Sequence, residues 1–340
     1  MIQRLVVFVL ALTVLGAIAI NELRSNWAAP LTIPEQGFVL MVAPGDSLRT
    51  VVEGLHKAGV LAHPKLAMLY GRWTGLDVRI KPGEYLVPQN ATAESMLLLL
   101  QSGKNIQYQV TLPEGITLAN ALDILAQHEQ LEKILQGPSD PRILELVKPY
   151  AHPEGLFFPD TYHFVRNDTD WSILQQAHTA MNSVLQEEWD ARASSLPYDT
   201  PYEALIMASI IERETGSPAE REQIAGVFVR RLQKHMLLQT DPTVIYGLGL
   251  AFNGNLQRNH LADDGNIYNT YRHPGLPPTL IALPGRAALH AALHPDGGDS
   301  LYFVARGDGG HVFSRTLSEH NKAVKQYQLQ RRKGYISTPE

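Results

Sequence analysis

Two glutamates, Glu212 and Glu214, close an apolar run in the stretch ALIMASIIERETGSP, residues 204–218. A carboxyl group placed there can act as a general acid if its pKa is held near neutrality. Position pushes that way. A helix C-terminus disfavours a carboxylate by a few tenths to about 1 kcal/mol, and burial adds to the effect. Arg213, between the two, opposes it for whichever glutamate it reaches. At about 100° per residue the two side chains point to opposite sides of a helix. Glu214 continues the stripe Glu203, Met207, Ile210, whereas Glu212 continues the smaller face Leu205, Ala208, Ser209. The stripe makes Glu214 the candidate acid, while a pair of ordinary solvated helix-end charges stays open as the other reading.

The helix that must carry them is well punctuated. Thr200 at the N-cap, Pro201 at the first helical position and Glu203 at the third form a capping box, and Thr215-Gly216 provides a stop. Ser217, Pro218 and Glu220 repeat the pattern for a following helix over Ala219–His235. Further helices are predicted at Trp171–Ala193 and Ala287–His294. A hairpin is predicted from Leu301–Ala305 and His311–Phe313 around Gly-Asp-Gly-Gly. Further polar groups cluster downstream. Gln239, Thr240 and Asp241 precede Pro242 and suit either sugar hydrogen bonding or the start of a helix. Tyr246, Tyr268, Asn269 and Tyr271 suit a stacking and hydrogen-bonding wall or ordinary core packing. His311 and Asn321 are expected in buried structural hydrogen bonds, and the run EGLFFPDTY, residues 154–162, in a packing corner.

Composition narrows the function classes. The chain has 340 residues, 19% of them charged, with a formal charge of −5 and no long basic run, which gives no reason to expect nucleic-acid binding. Cysteine is absent, excluding thiol catalysis and disulfides. The thirteen histidines show no H-E-x-x-H and no paired ligand spacing, so neither metal nor cofactor is expected. Leu5–Ile20 is free of charge. It reads as an uncleaved single-pass anchor or, with Ala17-Ile18-Ala19 as a cleavage site, as a signal peptide. Either way the rest of the chain is exported.

The expected fold class is α+β: a membrane helix over 1–20, a linker over 21–36, a small strand–helix–helix–strand subdomain over 37–105, a larger α+β catalytic domain over 106–335, and a tail over 336–340. The small subdomain, entered by Phe38–Val42 and the turn Pro44-Gly45-Asp46-Ser47, resembles the LysM peptidoglycan-binding module.

ASIIERET (208–215), VFVRRL (227–232), LQTDPTVIYGLG (238–249), YNTY (268–271), GLPP (275–278) and LYFVARGDGGHVFSRTLSEHN (301–321) follow one another in this order, with EGLFFPDTY upstream. Together they resemble the YceG-like family of endolytic murein transglycosylases, over about residues 108–335. One position departs from the family pattern, since Thr279 follows GLPP where a glycine is usual. The resemblance implies a membrane-anchored enzyme of the bacterial inner membrane, facing the periplasm, that cuts nascent peptidoglycan strands internally and works beside penicillin-binding glycan synthases. It places the catalytic glutamate, the second of E-x-E-T, on Glu214 and makes Glu212 supporting, on the substrate-binding side. A lone carboxyl group suffices for such chemistry, because the muramic acid's own C6 hydroxyl is the nucleophile and is already intramolecular. Two other readings remain: a hydrolytic muramidase using Glu214 and Asp241, and a non-catalytic glycan-binding scaffold.

Overall fold

A computed structural model describes residues 2–78 and 80–329; the tail expected at 336–340 lies outside them. The first element, α1 (Ile2–Ala28), contains a 23-residue segment, Val6–Ala28, long and apolar enough to cross a membrane. Such a segment suits a membrane anchor and a signal sequence alike. The helix continues to Ala28, where a linker from residue 21 is expected. The reason is packing: Trp27 is 4% exposed and stacks on Tyr70 at 4.1 Å, and Leu31 and Ile33 join the same core. Polarity and two prolines suggest a spacer, but these three apolar residues tie the segment down.

The described chain divides into two compact units, residues 2–78 and 80–108 with 163–168, and residues 109–162 with 169–329. In the first unit the elements run β1 (Phe38–Val42), α2 (Leu48–Lys57), α3 (Pro64–Thr74), β2 (Gly83–Val87), α4 (Ala93–Ser102). The strand–helix–helix–strand order is the one expected. β1 and β2 pair antiparallel, with Phe38 opposite Val87 and Val42 opposite Gly83. Their period-2 pattern buries Leu40, Val42, Tyr85 and Val87 against Val52 and Leu55 of α2 and Leu97 and Leu100 of α4. Ser47 caps α2 through the Thr50 amide. α4 is not read from the sequence, since AESMLLLLQS is too uniformly apolar to show a helical period.

β3 (Tyr108–Thr111) pairs with β4 (Thr161–Phe164), a strand that the expected corner EGLFFPDTY runs into. The second unit is mainly helical: α5 (Leu118–Ala126), α6 (Pro141–Leu146), α7 (Asp170–Asp190), α8 (Pro201–Glu214), α9 (Arg221–Gln233), α10 (Asp241–Leu248), α11 (Arg258–Leu261) and α12 (Arg286–Leu293). The antiparallel hairpin β5 (Tyr302–Ala305) and β6 (His311–Ser314) follows, then α13 (Leu317–Val324). With its sheets small and its helices dominant, the chain is α+β.

α8 is the centre of this unit. Every residue from Ala204 to Ile211 is buried, and the helix packs against α7, α9, α10 and α12. Burying each Leu, Ile or Met side chain contributes about 1.5–3 kcal/mol. The capping box is present as expected: Thr200 accepts from the Glu203 amide, and Glu203 accepts from the Thr200 amide. Within the helix, Ser209 donates to the Ile206 carbonyl at 2.7 Å and accepts from the buried Ile281 amide at 3.1 Å. Ser209→Ala strands that amide, so we expect stability to fall by about 1–3 kcal/mol, read as a lower unfolding temperature.

The following helix begins differently from expectation. Pro218–Glu220 forms a 3-10 turn, and Ser217 makes no side-chain cap bond. Glu220 instead reaches the β5–β6 hairpin, accepting from the His311 amide at 3.0 Å and facing His311 Nδ1 at 2.8 Å. Two partners from the hairpin outcompete one local amide. His311 is thus buried and hydrogen-bonded as expected, whereas Asn321 is exposed on α13.

Candidate active site

Glu214 is the last residue of α8, and Thr215 ends the helix by turning extended (φ −143°, ψ 135°). The stop therefore lies in Thr215, and Gly216 adopts no left-handed conformation. Glu214 is partly buried, and its Oε2 accepts a hydrogen bond from Thr240 Oγ1 at 2.7 Å. Burial pushes its pKa up to about 7; Asp241's charge pushes the same way, and the Thr240 bond pulls down. Among the described residues Glu214 makes no ion pair. Near neutrality its carboxyl group is therefore shared between an acid that can donate a proton and a base that can take one.

Thr240 is held by a lattice of hydroxyls. Its amide donates to Thr270 Oγ1 at 3.1 Å, and its carbonyl accepts from Thr243 Oγ1 at 2.8 Å. Thr243 and Thr270 also bond one another at 2.9 Å. Gln239 turns the chain into this lattice through a left-handed conformation at φ 53°, rare for a non-glycine residue. Its side-chain oxygen accepts from Arg231 Nη1 at 3.3 Å. Arg231 is 7% exposed and is met by carbonyls: Leu301 at 2.7 Å, Leu238 at 2.9 Å and Leu237 at 3.1 Å. Burial lowers its pKa. It braces the loop that delivers Thr240. The sequence holds a signal for it, because Arg231 continues the apolar stripe Ile224, Val227, Phe228 at helical spacing.

Asp241 is the exposed first residue of α10, and its Oδ1 accepts from Tyr271 Oη at 2.6 Å. Tyr246 and Tyr268 meet edge to face at 4.9 Å, and both are partly exposed. Tyr246 donates to Glu154, and Tyr268 and Thr279 share a hydrogen bond between their hydroxyls. Thus Thr240, Asp241 and Tyr271 gather on the Glu214 side, the Gln239 side chain turns to Arg231, and Tyr246 and Tyr268 form an aromatic pair on and beside α10.

Two expected ligand groups have other work. Asn269 is fully buried. Its amide donates to the carbonyls of His260, Leu261 and Asp263, and its oxygen accepts from the Tyr271 amide. It pins a loop and, fully buried, offers no surface to a sugar. Glu212, its side chain 5% exposed, accepts from the Gly285 amide at 2.9 Å and lies 3.5 Å from Arg221. Burial raises its pKa, with Glu114 adding to the rise and the Gly285 bond and Arg221 opposing it. Glu212 ties the end of α8 to the start of α12, which follows Gly285.

Glu154 is expected only as part of a packing corner, yet its carboxylate accepts from the Leu118 amide at the start of α5 at 2.8 Å and from Tyr246 Oη at 3.2 Å. Burial raises its pKa. The next residue, Gly155, is left-handed at φ 77°, and a Cβ there would stand 2.7 Å from the Ala282 carbonyl oxygen. Only glycine lets the corner close on that segment.

The expectation about histidine spacing is also corrected. His290 and His294 stand four residues apart at the end of α12, with Glu188 of α7 beside them. The pair escapes a search confined to H-E-x-x-H because its third donor lies about a hundred residues away in sequence.

The family model of the YceG-like family matches residues 40–326. The endolytic murein transglycosylase of Bacillus subtilis is 32% identical over 304 residues, spanning 84% of this chain and 83% of that protein. That of Streptococcus pneumoniae serotype 2 is 27% identical over 333 residues, covering 88% of this chain and 60% of its relative. A YceG-like protein of Listeria monocytogenes, solved by crystallography at 2.6 Å, is 29% identical and superposes with a TM-score of 0.56 over 85% of this chain and 99% of its own. With its motifs on the α8 terminus and the Thr240 loop, and most of its length matched, the chain belongs to the YceG-like family.

Proposed function

We propose that this chain is an endolytic lytic transglycosylase of peptidoglycan, with Glu214 as its single general acid and base. The observation that carries the reading is the Glu214 carboxyl group, held at a pKa of about 7 by burial, with one hydroxyl donor and, among the described residues, no ion pair. Its relatives' shared name supplies the substrate class. Glu214 protonates the bridging oxygen of the MurNAc–GlcNAc β-1,4 bond as the C1–O bond breaks. It then takes the proton of the muramic acid's C6 hydroxyl, whose oxygen bonds to C1 and closes a 1,6-anhydro ring. The carboxyl group ends protonated, as it began. A pKa near neutrality serves both half-reactions, since donor and acceptor are the same group.

Thr240 tunes this group, because its hydrogen bond favours the ionised form. Thr240→Val removes the bond, so the Glu214 pKa is expected to rise above about 7. The limb of the pH–rate profile that reports it should move to higher pH. An unmoved limb with reduced activity would show that Thr240 acts only in packing.

In this reading α1 anchors the chain in the cytoplasmic membrane with the remainder in the periplasm, and residues 106–335 form the catalytic domain. The β1–α2–α3–β2 unit acts as a LysM-like glycan contact, and the enzyme trims strands beside penicillin-binding glycan synthases. Asp241, whose charge reaches Glu214, supports one alternative, hydrolysis with Asp241 activating water.

The deciding experiment incubates the full-length protein, in detergent, with uncrosslinked glycan strands and analyses the new ends by mass spectrometry. Anhydro-muramic ends from the wild type and none from Glu214→Gln are expected. Anhydro ends that persist in the variant reject Glu214 as the acid. Reducing ends alone reject transglycosylation in favour of the Asp241 mechanism, and no new ends from either protein point to a scaffold.

A further inference from the structure

Away from Glu214, the ends of α7 and α12 bring together one carboxylate and two imidazoles. Glu188, in the last turn of α7, is 8% exposed. His290, in the last turn of α12, faces it with Nδ1 at 2.8 Å from Glu188 Oε2. His294, the residue that ends α12, stacks on His290 with ring centroids 4.1 Å apart and planes at 18°. Side chains four apart share one face of a helix. One donor atom from each of the three residues lies within 4.8 Å of the other two.

We propose that Glu188, His290 and His294 form a binding site for a divalent transition-metal ion, with zinc the best match to two imidazoles and a carboxylate. Such donors bind zinc at about 2.0–2.2 Å in a tetrahedron, which sets them roughly 3.4 Å apart. With the three donor atoms all within 4.8 Å of one another, no pair has to close by more than about 1.4 Å. The surroundings favour a cation. Both helices end here, and the negative ends of their dipoles converge; the Ala191 carbonyl at the end of α7 lies 2.9 Å from His294 Nε2. Arg286 is the opposing charge. It binds Glu188 Oε1 at 3.1 Å and Glu187 at 2.6 Å. It thereby orients the carboxylate with Oε2 toward the histidines, the part an outer-shell partner plays at metal sites. An open cleft of about 530 Å³ lined by Glu188, Arg286 and His290 leaves a path for the ion and for water as the fourth ligand.

The consequence is mechanical. Glu212 holds the start of α12 through Gly285, and the ion would clip its far end to α7. α12 packs on α8, which carries Glu214. The site is a brace, outside the chemistry.

The test uses the full-length protein in detergent, freed of any histidine tag and of bound metal, titrated with zinc chloride alone by calorimetry and with cobalt(II) by absorption. One ion per chain at micromolar affinity is expected, with a tetrahedral cobalt spectrum and a higher unfolding temperature in zinc. His290→Ala and His294→Ala should each weaken binding at least about tenfold, and Glu188→Gln likewise. His56→Ala, on α2 in the other unit, should leave it unchanged. Because both ring substitutions lie at the surface end of α12, circular dichroism should show them folded. No stoichiometric binding at 100 μM zinc, on the order of a hundred times the expected dissociation constant, overturns the proposal. Equal binding by the His290→Ala, His294→Ala double variant does the same.

Discussion

Glu214→Gln should abolish strand cleavage and at the same time stabilise the protein above pH 7. Removing a positioned general acid and base typically costs about a hundred- to ten-thousandfold in rate. Gln keeps the volume and can still accept the Thr240 hydrogen bond, so the site's shape survives while proton transfer is lost. The stability effect follows from the pKa. Folding raises this carboxyl group from its ordinary 4.5 to about 7. Between those values the folded protein binds more protons than the unfolded chain, so stability falls as pH rises through that window. The penalty is complete above pH 7 and absent below 4.5. At 1.36 kcal/mol per unit the gap corresponds to roughly 3 kcal/mol, and residual solvent contact reduces the expected gain to about 1–3 kcal/mol. Melting curves at pH 5 and pH 8 check this. The gap between the variant and the wild type should be small at pH 5, near the lower edge of the window, and widen by pH 8 in the variant's favour. A variant that melts lower at pH 8 would mean that Glu214 is held as a stabilised carboxylate, which contradicts its assignment as an acid.

Glu212→Ala should have the opposite signature. It leaves the Gly285 amide without its acceptor and removes the carboxylate beside Arg221, which retains only a 4.0 Å contact with Glu114. Stranding a buried donor costs about 1–3 kcal/mol, and breaking a buried charge pair by removing one partner costs about 3–5 kcal/mol. The two overlap, and a loss of about 2–4 kcal/mol is expected at acidic pH, becoming smaller as pH rises because burial raises the Glu212 pKa, measured by thermal unfolding. Activity should fall with the folded fraction and recover at lower temperature. A Glu212→Ala protein as stable as the wild type, yet inactive at every temperature, would return Glu212 to the substrate side. The pair thus separates two glutamates that stand two residues apart: one substitution stabilises and inactivates, the other destabilises.

Much of α8 is legible in the chain alone, because its determinants are local. Thr200, Pro201 and Glu203 act within one turn to start it, and the helical period alone places Glu212 and Glu214 on opposite faces. The β1–α2–α3–β2 order is legible for the same reason: a short apolar strand, a capped amphipathic helix and a Pro-Gly turn each act within a few residues. Where local signals competed with distant partners, the sequence misled. Ser217 and Glu220 look like a helix start, but Glu220 belongs to His311, 91 residues on. Residues 21–36 look like a spacer, but Trp27 finds Tyr70. Asn269 looks like a sugar ligand, but three carbonyls claim its amide.

Sequence by itself determined that two carboxyl groups end one apolar helix on opposite sides, and its motifs pointed to the second. Tertiary structure alone decided what each became. Glu212 and Glu214 share a helix end, a dipole and nearly the same neighbours in the chain, so no local term separates them strongly. The difference comes from across the fold. A backbone amide and an arginine pin Glu212, while the partly buried Glu214 meets one threonine hydroxyl, 26 residues on. A carboxyl group's pKa is set by what surrounds it in space.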